Sequence, residues 1–156
     1  MRAAMNSLDR ATKRITLLAL FGLVPPALGQ VQAPPLELSA GVHRIEAEVA
    51  ATWDSRAQGL MHRHALPPNR GMLFVFPETQ AHCMWMRNTL IPLSVAFLDD
   101  KGAIVNIAEM KPETLDNHCA AKPVRYALEM NAGWFRQKGI RPGARIFGID
   151  KAPAAR

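Results

Sequence analysis

Met84-Trp85-Met86-Arg87-Asn88-Thr89-Leu90-Ile91-Pro92-Leu93-Ser94-Val95-Ala96-Phe97 is the stretch on which the fold turns. Pro92 fixes its own φ, removes a backbone donor and pushes Ile91 towards an extended conformation. The run that follows, Leu93 to Asp99, is too short and too rich in β-favouring residues for an isolated helix, so it reads as a buried strand. Ahead of it, Trp85, Arg87 and Asn88 offer a flat apolar face, a five-donor fork and a two-way amide within four residues. Polar groups at the mouth of a rigid strand are well placed to form a site. The same residues also suit a purely structural role, with Trp85 plugging one end of a barrel and Asn88 bonding turn amides.

Working outward, Asp99-Asp100-Lys101-Gly102 is a hairpin signal that joins this strand to Ile104–Met110. Upstream, residues 36–39 and 42–49 form two strands around Ala40-Gly41. In the second, Ile45, Ala47 and Val49 alternate with Arg44, Glu46 and Glu48, the pattern of a half-solvated strand. Thr52 can cap a short helix from Trp53 that presents Arg56, Leu60 and Arg63 if it continues through Gly59. Gly71 to Phe76, closed by Pro77, is a buried strand. Val124 to Met130 is another, then Asn131 can cap a helix through Trp134 and Lys138 that Gly139 stops. A last strand spans 144–149, and residues 151–156 are a tail. About seven short strands and two short helices predict an α+β, mainly β domain built as a compact antiparallel, barrel-like sheet.

The first 29 of the 156 residues read as a removable signal peptide. Arg2, Arg10, Lys13 and Arg14 precede the apolar run Ile15 to Val24, and Ala27 and Gly29 suit cleavage before Gln30. Ten apolar residues fall short of the roughly 20 a membrane-crossing helix needs. Residues 30–35 are then a disordered leader, 36–150 a single domain, and the location periplasmic or secreted. Without the signal, 15 Lys+Arg face 12 Asp+Glu, so the working protein is only slightly basic. It has no basic block and no interleaved aromatic–basic pattern, which argues against nucleic acid as a partner. Cys83 and Cys119 both lie in the exported part, and in an oxidising compartment they read as one disulfide. A redox-active thiol pair or a metal site are the alternatives, but no C-x-x-C spacing supports the first.

The blocks Arg56–Arg63, Gly71–Phe76, Trp85–Leu93, Gly102–Ile107 and Tyr126–Trp134, followed by Gly139-Ile140, resemble the signature blocks of the domain-of-unknown-function 192 family. The resemblance spans nearly all of Leu36 to Ile149 in order. It implies a small β-rich domain, often exported, and it implies no activity.

Five polar or aromatic residues stand out as a ligand-binding set: Arg56, Arg63, Trp85, Asn88 and Glu129. Glu129 interrupts an otherwise apolar strand, so it needs either a partner or a water-filled pocket. Arg56 or Arg63 could clamp it, giving a buried structural ion pair. Alternatively, one Arg meets an anionic ligand, an unidentified small molecule or envelope component, over a Trp85 floor. Glu129 could also serve an envelope hydrolase as acid or base, although no G-x-S-x-G, H-E-x-x-H or phosphate loop is present. The runs Met61-His62-Arg63-His64 and His82-Cys83-Met84-Trp85-Met86 raise copper handling as a weaker option. Methionine also fills core gaps, and an oxidised Cys83 is not a ligand. The sequence therefore assigns no metal site and no cofactor.

Overall fold

The computed structural model describes residues 34–156; the expected signal peptide and most of the leader lie outside the described residues. The strands are β1 (Leu36–Ala40), β2 (His43–Ala50), β3 (Arg70–Gln80), β4 (Cys83–Met84), β5 (Leu93–Leu98), β6 (Ile104–Met110), β7 (His118–Cys119), β8 (Val124–Asn131) and β9 (Ile146–Phe147). Two helices, α1 (Trp53–Gln58) and α2 (Trp134–Gln137), and a 3-10 turn at Ile149–Lys151 complete the chain.

Seven strands form one sheet in the order β6-β5-β8-β3-β2-β1-β9, and β4 pairs with β7 as a separate two-stranded ribbon. The sheet's two ends meet where Ala103 bridges Arg145, with Ile104 N donating to Ala144 O at 2.8 Å and Ile146 N to Gly102 O at 2.9 Å. The sheet therefore curls into a half-barrel, as the strand count predicts. Every neighbouring pair in it is antiparallel except β2 with β3, which run parallel. Residues 51–69 supply the crossover of about a dozen or more residues that such a pair needs.

Local chemistry explains where elements begin and end. Thr52 and Ser55 form a reciprocal capping box at the start of α1. The helix does not continue through Gly59, whose φ of 49° ends it, so Leu60 and Arg63 sit in the turn beyond. Asp99 shapes the β5–β6 hairpin by accepting from the amides of Lys101 and Ala103. Gly102 there has φ of 81°, and a Cβ would lie 2.5 Å from Ile146 O, so only glycine fits where the sheet closes. The expected cap of α2 moves: Gly133, not Asn131, is its N-cap. Gly133 N donates to Ser94 Oγ and Glu109 Oε2, whereas the Asn131 amide, at the end of β8, donates to Leu66 O and Pro67 O. The C-terminal residues are docked, with Arg156 N donating to Ala51 O at 2.7 Å.

Both faces of the sheet are covered. Leu38, Ile45, Leu73, Leu98, Leu128 and Met130 pack with Trp134 and Phe135 on one face. Met72, Phe74, Phe76, Leu93, Val95 and Phe97 pack with Leu60, Leu66, Met84 and Met86 on the other. This is why all six residues of β5 are buried. The second face is the one on which the site is built.

Candidate functional site

Strand β8 alternates between the two cores, with Leu128 and Met130 on one face and Ala127 on the other. Glu129 thus points to the second face. It pairs in register with Met72 on β3 and Val95 on β5, two apolar neighbours that cannot satisfy a carboxyl. Only 4 % of Glu129 is exposed, and among the described residues its carboxyl makes no hydrogen bond or ion pair with protein. Burial alone pushes its pKa up to about 8, because desolvation penalises the charged form.

The carboxyl is not sealed in. Among the described residues the only fully enclosed polar side-chain atom without a partner is His118 Nε2. Glu129 instead lines an open cavity of about 130 Å³ with Arg56, Leu60, Phe74, Phe76 and Trp85. Phe74 and Phe76 share Glu129's face through the alternation of β3. The β4–β7 ribbon supplies Cys83 and Met84 to the wall, and Thr89 closes another side. Gly59 also borders it, where a Cβ would approach Phe74 Cζ to 3.1 Å. Trp85, 46 % exposed, stands at the rim with Arg87 Cζ 5.8 Å from its ring centroid. Its segment is held by backbone bonds from Met86 N to Thr114 O and from Glu113 N to Thr89 O. A larger depression of about 770 Å³ lies between β1, α1 and the C-terminal residues. Its acids are either exposed, as Glu37 is, or paired, as the half-buried Glu48 is with Arg63, so it lacks the buried, unpartnered acid that distinguishes the smaller cavity.

Three of the five residues singled out from sequence, Arg56, Trp85 and Glu129, therefore meet at one hollow. Arg56 does not clamp Glu129. Its Nη1 donates to Ala51 O at 2.6 Å and Val75 O at 3.1 Å, and its Nη2 to Arg156 O at 3.3 Å. Arg63 lies outside the cavity and clamps Glu48 bidentately at 2.5 and 2.6 Å. That pair holds the Glu48 carboxyl below its ordinary range, first through the hydrogen bonds from Arg63. Asn88 is exposed, in the left-handed region at φ 57°, and its carbonyl accepts from His62 N at 2.8 Å. Leu60, Phe74, Phe76, Met84 and Thr89 also line the cavity, and sequence reasoning did not place them in the ligand-binding set. The period-two alternation of Met72, Phe74 and Phe76 was a usable signal, but only once β3 is known to lie beside β8.

The Arg63–Glu48 clamp yields a modest prediction. Both side chains are partly exposed, 30 % and 23 %, so solvent screening limits its worth. Arg63→Ala is expected to lower unfolding stability by about 1 kcal/mol, with a double-mutant cycle against Glu48→Gln assigning most of it to the pair. Additive single effects in that cycle would mean the clamp contributes nothing.

Cys83 and Cys119 form the disulfide, opposite one another across the β4–β7 ribbon. No group of three His, Cys, Asp or Glu among the described residues is placed to hold a metal ion. No helix among them is long and apolar enough to cross a membrane.

A sequence-family model, DUF192 (uncharacterized ACR), matches residues 36–148. The chain belongs to the DUF192 family. This DUF192 domain resembles a crystal structure from Sinorhizobium meliloti 1021 described, provisionally, as a transcription regulator. The two share 37% identity and a TM-score of 0.68 over 72% of this chain and 90% of that one. It also resembles a protein of unknown function from Novosphingobium aromaticivorans DSM 12444, with 32% identity and a TM-score of 0.70 over 80% and 93% of the two chains. No curated protein matches this chain.

Proposed function

We propose that this DUF192 protein is an exported small-ligand binding or accessory domain, and that the cavity bordered by Arg56, Trp85 and Glu129 is its site. One observation carries the reading: an acid without a protein partner, buried among apolar neighbours, borders a hollow that reaches solvent. Buried polar groups are normally satisfied, and an exception calls for a cause such as a ligand. Arg63 and Asn88 act as supports, the first through Glu48 and the second through the turn at His62. Export is supported by the basic and apolar N-terminal sequence and by a disulfide whose two cysteines are both exposed. The Sinorhizobium relative's description as a regulator finds no support here in a helix-in-groove mode of DNA binding. The longest helix among the described residues has six residues, too short to serve as a recognition helix in a DNA groove.

The test is a thermal-shift and tryptophan-fluorescence screen of sugars, nucleotides, small carboxylates and amines. At least one ligand is expected to raise the melting temperature saturably, and to lose that effect in Trp85→Ala and Glu129→Gln. A ligand effect unchanged in both variants would mean that the cavity is structural only.

The hydrolase reading draws on the same Glu129, since an acid with a pKa of about 8 can hold a proton for transfer at neutral pH. It also requires a nucleophile or a second acid. Among the described residues, Thr89 is the one hydroxyl on the wall, and no other carboxylate lines the cavity. Binding is therefore the better-supported function.

A further inference from the structure

We infer that the ligand of this cavity is a small organic cation, a primary or quaternary ammonium, taken between the Glu129 carboxyl and the rings of Phe74, Phe76 and Trp85. The inference rests on the cavity being a binding site, as proposed above.

The first argument is about charge. Among the described residues, Arg56 and Glu129 are the only charged groups lining the cavity. An anion would have to be held by Arg56, but three of that side chain's five N–H donors are already spent on the carbonyls of Ala51, Val75 and Arg156. The same three oxygens solvate its positive charge. Glu129 has no such compensation: burial keeps its carboxyl protonated at neutral pH, and a cation beside it would stabilise the carboxylate in place of that proton, so binding is expected to release a proton and to tighten as pH rises towards 8.

The second argument is about the walls. Three aromatic rings line the same cavity as the acid, and aromatic rings attract ammonium groups through their quadrupole. Trp85 already draws one cation, the Arg87 guanidinium, to 5.8 Å from its centroid. Phe76 is braced by His82, stacked at 3.7 Å, so its position is fixed. A neutral amide would satisfy one hydrogen bond of the acid but would gain less from the ring quadrupoles than a cation does. The third argument is size. The hollow, about 130 Å³, is small, and a compact ammonium group such as methylammonium or tetramethylammonium suits it, with any longer substituent left to extend through the open side.

Titration calorimetry of the intact protein with methylammonium, tetramethylammonium, acetamide and acetate, at matched ionic strength, separates the possibilities. At least one ammonium probe is expected to bind saturably and to weaken tenfold or more in Glu129→Gln. Acetamide and acetate are expected not to saturate. Trp85→Leu, which alters an exposed ring and keeps the acid, should weaken the ammonium several-fold and provides a second reading should the first variant be poorly folded. Saturable binding of acetamide or acetate without an ammonium response would overturn the cation inference and leave the site standing. No response to these four probes, nor to any compound of the wider screen, would overturn both.

Discussion

Between pH 5 and pH 8 the protein is expected to lose stability steadily as pH rises, and Glu129→Gln is expected to abolish most of that loss. In the unfolded chain Glu129 releases its proton near 4.5; in the folded protein burial holds the proton until about 8. Between those values the native state carries one more proton than the unfolded state, so unfolding stability falls with increasing pH. The slope is about 1.4 kcal/mol per pH unit for one proton, and the whole window amounts to roughly 3–5 kcal/mol. Below pH 4.5 the full contribution is present, and above 8 it is gone. Glu48, whose pKa is lowered, works in the opposite direction, but its contribution is lost only as pH falls below 4.5, so the two windows do not overlap. Urea unfolding midpoints at pH 5, 6, 7 and 8 measure the effect. Glu129→Gln should be the more stable protein at pH 8 by a few kcal/mol, since an amide has no charge to desolvate. Parallel wild-type and variant curves across this range would show that Glu129 is ionised in the folded protein, with water or a bound ion compensating it. The same experiment bears on function, because a site that holds a destabilising acid gives up stability that a ligand can restore.

How far these residues could be read before the fold was known depended on whether their signal is local. The strand at Leu93–Leu98, the hairpin at Asp99 and the cap at Thr52 are written in neighbouring residues, and each forms where its chemistry implies. Glu129 was conspicuous for the same reason, a lone acid in an apolar strand. What surrounds Glu129 was not local. Its neighbours Met72 and Val95 are set by strand register, and Phe74 and Phe76 join it only because β3 lies beside β8. The helix beginning at Trp53 carries Arg56 towards the cavity, yet the same helix ends at Gly59 and leaves Arg63 to a different partner. A helical periodicity extended across that glycine would place both arginines on one face. Asn88 illustrates the converse case. Its left-handed backbone, at φ 57°, shows the turn-forming character of asparagine and was available from residue type, whereas its bond to His62 is made by the main-chain carbonyl and owes nothing to the side chain.

Reduction of Cys83–Cys119 is expected to destabilise the protein and to do so at the cavity. The disulfide closes a loop of 36 positions, for which chain entropy gives roughly 3–4 kcal/mol. Most of the domain does not depend on it, because the seven-stranded sheet has its own two cores. The ribbon it joins is different, for β4 and β7 have two residues each, and a pair of such short strands is too small to persist without the covalent link or packing beneath it. Cys83 and Met84 of that ribbon line the hollow, and Trp85 follows directly. Loss of the link should therefore raise hydrogen exchange first in residues 82–86 and 117–120, before the strands of the main sheet open. The Cys83→Ser/Cys119→Ser variant should melt markedly lower than the oxidised protein and weaken any ligand that contacts Trp85. Mass measurement of the protein purified without reductant should show no free thiol, and a gain of two hydrogens after reduction. If the double variant keeps both its melting temperature and its exchange pattern, packing of Met84 and Met86 against the sheet holds the cavity wall and the disulfide adds nothing. Should exchange rise uniformly across the sheet instead, the link would act on the whole domain, and the wall could not be loosened separately from the fold.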